Sequence, residues 1–117
     1  MKLLVAAMAS ELAAFPDELE GFDQLVTGEG KMQAVYALTR ALDAKEYSEV
    51  VVVGTAGGID PELDATVHEI GSALQHDVFD LDGVAGQHVS LPARVSTGRE
   101  GVPVSYTHLT LPTTPYV

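Results

Sequence analysis

The chain has 117 residues, of which seventeen are acidic and six basic, and its formal net charge of −11 repels phosphate backbones and anionic lipid surfaces. The charge therefore argues against nucleic acid as a partner. A hydrophobic share of 46% excludes general disorder, and no apolar run approaches the roughly 20 residues that a membrane helix needs, so we expect no membrane partner.

The length allows at most one domain, and it is short for a complete doubly wound enzyme. The chain contains no Cys and no Asn, so it has neither a disulfide framework nor an N-glycosylation site. Nothing in the sequence points outside the cell, and we expect a cytoplasmic protein.

The first strand and turn occupy about fifteen residues. Residues 2–7 predict a strand, and Ser10 is the predicted N-cap of a short helix that Pro16 limits. This arrangement places Met8 and Glu11 near the carboxyl end of strand one. A Glu in a first helical turn is commonly a surface residue that complements the helix dipole, so a structural role for Glu11 stays open at this point.

A second strand is predicted over residues 22–27, followed by the turn TGEGK and a helix over 31–44. The predicted apolar face of this helix consists of Met32, Val35, Leu38 and Leu42. The turn is not a phosphate loop, because the sequence lacks the first Gly and the final Ser or Thr of the Walker pattern. Gln33 replaces the third Gly of the dinucleotide fingerprint.

The run VVVVGTAGGI, residues 50–59, predicts a strand that is buried on both faces at the centre of a parallel sheet. The following residues, 54–58, have almost no side-chain bulk, so a ligand could approach the backbone where open α/β folds bind ligands. A tight connection without a ligand explains the same glycines equally well. The preceding strand and helix predict that strands two and three are parallel.

Residues 67–77 predict an extended segment with a possible bulge at Gly71. The pair His68-Glu69 is not a zinc-protease motif, because Ser72 stands where the second His belongs. The residues His76, Asp77, Asp80 and Asp82 have a spacing that matches no established metal cage. We therefore predict neither a metal nor another cofactor.

The end of the chain differs in composition from the rest. From Ser105 onward there is no Asp, Glu, Lys or Arg, although such residues make up 20% of the whole. The run VSYTHLTLPTT resembles the translation of a sequencing-library adapter, so we interpret 104–117 as a non-native tail and 1–103 as the domain. A disordered polar tail would have the same composition.

Four segments stand in an order that resembles the nucleoside phosphorylase superfamily, and within it the 5′-methylthioadenosine/S-adenosylhomocysteine nucleosidases. They are KLLVAAMASE, TGEGK, VVVVGTAGGI and VHEIGSALQHD. The resemblance covers roughly residues 1–80 and implies an α/β fold: a three-layer sandwich around a central mixed, mostly parallel sheet, here truncated. Two features depart from the family pattern, a shorter segment before TGEGK and Ala9-Ser10 in place of a more acidic pair.

The resemblance assigns site residues. It implies that Glu11 is catalytic and polarises the attacking water, that Met8 lines the ribose pocket, and that Thr55, Ala56 and Gly57 form the pocket floor. The phosphate-binding motif of the phosphorylases does not occur in this sequence, so hydrolysis is favoured. The family's purine-protonating Asp and ribose-binding Glu belong downstream of the matching segments, and we expect this chain alone to be inactive.

These observations favour a purine nucleosidase that hydrolyses the N-glycosidic bond of 5′-methylthioadenosine, S-adenosylhomocysteine or a related adenine nucleoside, in methionine salvage. The partner would be a small-molecule nucleoside, and the full-length family implies a homodimer. Three alternatives remain at the level of sequence: a futalosine hydrolase, a nucleoside phosphorylase, and a non-enzymatic nucleoside-binding or interaction module.

Overall fold

A computed structural model of the protein describes residues 1–74 and 94–105. The chain divides into two compact units, residues 1–56 and 57–117. The described elements, in chain order, are β1 (Lys2–Ala6), a 3₁₀ turn (Ala9–Leu12), β2 (Phe22–Val26), α1 (Lys31–Ala44), β3 (Glu49–Val52), β4 (Ile70–Leu74), β5 (Arg94–Ser96) and β6 (Val102–Ser105).

The first unit contains a three-stranded parallel sheet in the order β2-β1-β3. The prediction that the Val50 strand is central is wrong for the described residues, because β1 takes the central place and β3 lies at an edge. The reason is that β1 pairs along both sides and its residues 3–6 are buried on both faces. Strands β2 and β3 are parallel to each other, as predicted, but each is hydrogen-bonded to β1 between them.

The two faces of β3 differ in how well they are covered. Val51 and Val53 pack against the core cluster of Leu4, Ala6 and Leu12 on one face of the sheet. On the opposite face Val52 is 72% exposed, although its register partner Val5 is only 5% exposed. The β-branched run therefore forms a strand as predicted, but it is partly buried on one face and exposed on the other.

Helix α1 spans Lys31–Ala44, as predicted. Its apolar face was predicted wrongly, because Met32, Val35 and Leu42 are exposed, with Met32 at 87%. The partly buried residues are Ala34, Ala37, Leu38 and Ala41. These four residues have the i, i+3, i+4, i+7 spacing of one helix face, and Leu38 is the member that they share with the predicted face. The less exposed face of α1 is therefore the one rich in small Ala side chains.

The short helix after β1 is a 3₁₀ turn, and its N-cap is Met8. The predicted N-cap, Ser10, lies inside the turn instead. The cause is Glu11, the third residue of the turn, whose carboxylate accepts a hydrogen bond from the backbone N–H of Met8. The side chain of Glu11 thus fixes where the turn begins.

The second unit contains a separate sheet in the order β5-β4-β6. β4 pairs with β5 in antiparallel fashion and with β6 in parallel, and the β4–β6 register shifts between Ile70 and Ser72. This irregularity confirms the predicted bulge at Gly71. The first residues of the predicted tail, Val104 and Ser105, belong to β6, and the rest of that tail lies outside the described residues.

The predicted metal candidates His76, Asp77, Asp80 and Asp82 also lie outside the described residues. Within the described ranges, no helix combines the length and the apolar character that crossing a bilayer requires.

Candidate active site

The candidate site lies where β1 and β3 end in the first unit. The two strands are parallel neighbours, and their pairing continues one residue past β3, where the N–H of Val53 donates to the carbonyl of Val5 at 2.9 Å. The segments after Ala6 and Val53 therefore leave the sheet side by side at its carboxyl edge. Open α/β sheets bind their ligands at this edge.

The carboxylate of Glu11 joins these two segments. Its Oε1 accepts a hydrogen bond from the backbone N–H of Met8 at 2.9 Å. Its Oε2 accepts one from the backbone N–H of Thr55 at 2.7 Å and one from the Thr55 hydroxyl at 3.2 Å. The structure thus brings Glu11 and Thr55 together, as their positions after parallel strands predict.

The two carboxylate oxygens of Glu11 differ in their remaining capacity for hydrogen bonds. A carboxylate offers about four acceptor positions, two on each oxygen. Within the described residues, Oε2 accepts two hydrogen bonds and Oε1 accepts one. Oε1 is therefore the oxygen with an acceptor position left for a bound water or a ligand hydroxyl.

The backbone of the 3₁₀ turn is anchored by the next residue in the chain. Leu12 is buried and belongs to the core cluster with Leu4 and Ala6, against which Phe15 and Leu19 also pack. Because Leu12 holds the turn against one face of the sheet, the adjacent Glu11 is presented at the edge where β1 and β3 end. The packing of Leu12 thus fixes the backbone of Glu11, and the hydrogen bonds fix its carboxylate.

The other predicted site residues are placed as follows. Met8 is exposed, and its backbone N–H donates the hydrogen bond to Glu11. Ala56 is exposed and follows Thr55 directly. Gly57 is the first residue of the second unit and is partly buried.

Sequence reasoning missed the contribution of Gly54. A Cβ atom at this position would lie 3.0 Å from Oε2 of Glu11. The available signal was the Gly itself, at the end of a β-branched run, for which the sequence left both the approach of a ligand and a tight connection open. In the structure, the group that approaches Gly54 is a side chain of the protein.

Among the described residues, no group of three or more His, Asp or Glu side chains is arranged to hold a metal ion. In the second unit, the Nε2 of His68 lies 3.2 Å from Oδ1 of Asp64 and 2.9 Å from the carbonyl oxygen of the same residue. These two residues form a local pair within one loop.

No family model matches the chain. The chain is 33% identical over 84 residues to the 5′-methylthioadenosine/S-adenosylhomocysteine nucleosidase of Marinomonas sp. (strain MWYL1). The matched region is 68% of this chain and 36% of that protein, so the chain spans about a third of the curated relative.

Two solved structures share the fold. The 5′-methylthioadenosine/S-adenosylhomocysteine nucleosidase of Neisseria meningitidis, in complex with methylthio-immucillin-A, matches with a TM-score of 0.70 at 18% identity over 89% of this chain and 61% of that one. The enzyme of S. pneumoniae, with the transition-state inhibitor MT-ImmA, matches with a TM-score of 0.68 at 17% identity, over 90% and 62%. The α/β fold class and the resemblance are therefore confirmed.

Proposed function

We propose that this chain is part of a purine nucleosidase, which hydrolyses the N-glycosidic bond of 5′-methylthioadenosine, S-adenosylhomocysteine or a related adenine nucleoside. The observation that carries the proposal is the carboxylate of Glu11, which is held at the carboxyl edge of the sheet by the backbone N–H groups of Met8 and Thr55. The similarity in sequence to one such nucleosidase and in fold to others supports the choice of reaction.

In the proposed reaction, Glu11 binds and orients the attacking water. The acceptor position that remains on Oε1 accepts a hydrogen bond from the water, which directs the water oxygen at the anomeric carbon, and Glu11 takes up that proton as the new C–O bond forms. The glycosidic C–N bond breaks with its electron pair on the adenine, and the water oxygen forms the new bond to carbon. The negative charge of Glu11 also stabilises the oxocarbenium character that develops on the sugar.

The hydrogen bonds to Glu11 suit this task because they fix the carboxylate before the substrate arrives. A group that is already oriented needs no rearrangement in the transition state, which is the main source of electrostatic catalysis. The bonds from Met8 and Thr55 come from backbone groups, so their direction follows from the two strand ends. Their lengths of 2.9 and 2.7 Å are those of well-formed hydrogen bonds.

Substrate binding is proposed to involve the residues around this carboxylate. Met8 would line the ribose pocket, and Thr55, Ala56 and Gly57 would contribute its floor, where small residues let a nucleoside approach the backbone. Protonation of the adenine as it leaves requires an acid, which the resemblance places downstream of the matching segments. The whole enzyme is proposed to be a cytoplasmic homodimer that needs no cofactor.

Glu11 favours hydrolysis over phosphorolysis for an electrostatic reason. A phosphorylase must bind a phosphate dianion next to the anomeric carbon, and a carboxylate a few ångströms away would repel it. Water carries no charge and is a hydrogen-bond donor to the same carboxylate. The nucleophile that fits the site is therefore water.

The experiment compares Glu11→Gln with the parent enzyme expressed from the complete reading frame, with release of adenine from 5′-methylthioadenosine as the readout. We expect kcat to fall by about 10² to 10⁴ and KM to change little, because the substitution keeps the shape and removes the charge. An unchanged kcat would overturn the role of Glu11. Adenine release that depends on added phosphate would favour the phosphorylase, and turnover of futalosine alone would favour the futalosine hydrolase.

Glu49→Gln is the matched control. Glu49 is the first residue of β3, at the opposite end of the strand from the site, and pairs with Lys2 at 3.7 Å on the exposed surface. The same chemical change at this position should leave the kinetic constants unaltered. Equal losses in both variants would show that the effect is one of general stability and not of catalysis.

A further inference from the structure

Gly54 has no conformational reason to be a glycine. The glycines with positive φ among the described residues are Gly21, Gly28, Gly30 and Gly98, and Gly54 is not one of them. Its backbone conformation is thus one that other residues adopt without strain. What limits a larger residue at this position is therefore the space around its Cα.

That space is occupied by the carboxylate of Glu11. A Cβ atom at Gly54 would lie 3.0 Å from Oε2 and 3.7 Å from the carboxyl carbon of Glu11, and the first of these distances is tighter than nearly all real Cβ contacts. At Gly58, by comparison, an added Cβ meets nothing within 4 Å. The close approach is therefore particular to the residue that precedes Thr55.

We propose that Gly54 is a positioning residue for Glu11, because the absence of a side chain lets Oε2 reach the backbone N–H of Thr55. A methyl group at position 54 would press on the oxygen that accepts both hydrogen bonds from Thr55. The carboxylate can retreat only by lengthening these bonds or by rotating away from Met8. Either movement changes the direction of the free acceptor position on Oε1.

The structural part of this inference is independent of the reaction, whereas its catalytic consequence rests on the proposed function. The added methyl group would act through the position of Glu11 and would touch no reacting atom. Misplacement of an orienting group by a fraction of an ångström to an ångström costs about 10- to 100-fold in rate. We thus expect Gly54→Ala to lower kcat by about this factor and to leave KM nearly unchanged.

The first test follows the backbone amide signals of Met8 and Thr55 by NMR in the 117-residue chain. Glu11→Gln removes the charge of the acceptor and should shift both amide proton signals. In the Gly54→Ala background the same substitution should move the Thr55 signal much less, whereas in the Gly58→Ala background it should move it fully. A full response of Thr55 to Glu11→Gln in the Gly54→Ala background would overturn the proposal.

The second test is a double-mutant cycle, which also covers the case in which Gly54→Ala unfolds the protein. The fall in Tm caused by Gly54→Ala is measured with Glu11 present and again in the Glu11→Ala background. We expect the fall to be several degrees in the first case and to be relieved in the second. The same fall in both backgrounds would mean that the methyl group meets something other than Glu11, and the proposal would be wrong.

The kinetic comparison separates this inference from the proposed function. If Glu11→Gln loses activity but Gly54→Ala keeps the parent kcat, the function stands and the positioning role of Gly54 is refuted. If the NMR response and the Tm cycle behave as expected while Glu11→Gln remains fully active, Gly54 positions Glu11 and the proposed function fails. The two outcomes cannot be confused, since the structural readouts do not depend on catalysis.

Discussion

The Nζ atom of Lys45 lies 2.8 Å from Oδ2 of Asp23, so the residue that follows α1 is tied to the second residue of β2. The hydroxyl of Tyr47 donates to the same oxygen at 2.7 Å, and the Lys45 ammonium lies 5.6 Å from the centre of the Tyr47 ring. These contacts sit near the start of β2 and β3, opposite the candidate site. They hold the connection between α1 and β3 against β2.

The contacts of Asp23 predict how stability depends on pH. The pKa of Asp23 lies below its usual value, chiefly because of the hydrogen bond from Lys45 and secondly because of that from Tyr47. The same hydrogen bonds raise the pKa values of Lys45 and Tyr47. The stabilisation by Asp23 is thus complete above its unfolded pKa of about 4 and is lost as pH falls through the lower folded value. The stabilisation by Lys45 and Tyr47 is complete below about pH 10 and is lost as pH rises through their folded values.

Asp23→Asn tests this dependence through melting temperatures measured across the pH range. The parent should have the higher Tm near pH 7, and the difference should disappear in strong acid and shrink in strong alkali. Asp43→Asn changes an exposed carboxylate of α1 and serves as the control. A difference between Asp23→Asn and the parent that stays constant from acid to alkali would contradict the assignment.

A substitution at Gly30 should destabilise the first unit. Gly30 precedes α1 with φ of 94° and ψ of 159°, a conformation that is almost restricted to glycine, and its carbonyl accepts the hydrogen bond from the N–H of Ala34. We expect Gly30→Ala to lower the free energy of unfolding by about 1 to 3 kcal/mol in chemical denaturation. Gly58→Ala, at a position without positive φ, should have little effect. Equal effects of the two changes would refute the backbone argument.

The same substitution in two paired valines should show that one face of the sheet is covered at β1 and open at β3. Val5 and Val52 are register partners on β1 and β3, but Val5 is buried and Val52 exposed. Val5→Thr buries a hydroxyl group and should cost about 1 to 3 kcal/mol of unfolding free energy, whereas Val52→Thr should stay within about 0.5 kcal/mol. Chemical denaturation measures both. A loss at Val52 as large as that at Val5 would mean that the exposed face of β3 is covered in solution.

The elements of the first unit were predictable because their signals are local. The buried run of β1, the limits of α1 and the proximity of Glu11 and Thr55 each follow from residue types within a short window or from the rule that parallel strands end at one edge. The bulge at Gly71 was predictable for the same reason, since an isolated Gly within a strand pattern marks such a site.

The order of the strands and the inward face of α1 were not predictable in this way. Both β1 and β3 are apolar enough for a central position, and the choice depends on what covers each strand, which is a property of the tertiary structure. The helix carries apolar residues on more than one face, and the sequence pattern alone does not show that the face with the smaller Ala side chains is the less exposed one. The role of Gly54 likewise depends on a contact with Glu11, 43 positions earlier in the chain.

The last prediction concerns the 117-residue chain itself, which we expect to release no adenine from 5′-methylthioadenosine. Cleavage of a glycosidic bond needs a group that orients the nucleophile and another that protonates the leaving group, as in glycoside hydrolases with their two carboxyl groups. The chain supplies Glu11 for the first task, and the resemblance places the acid for the second downstream. The measurement is adenine release by the purified chain, with Glu11→Gln as the control for contaminating nucleosidase. Turnover at ordinary enzyme rates, about 1 to 10³ per second, that disappears in Glu11→Gln would show that the leaving-group acid is present within these 117 residues.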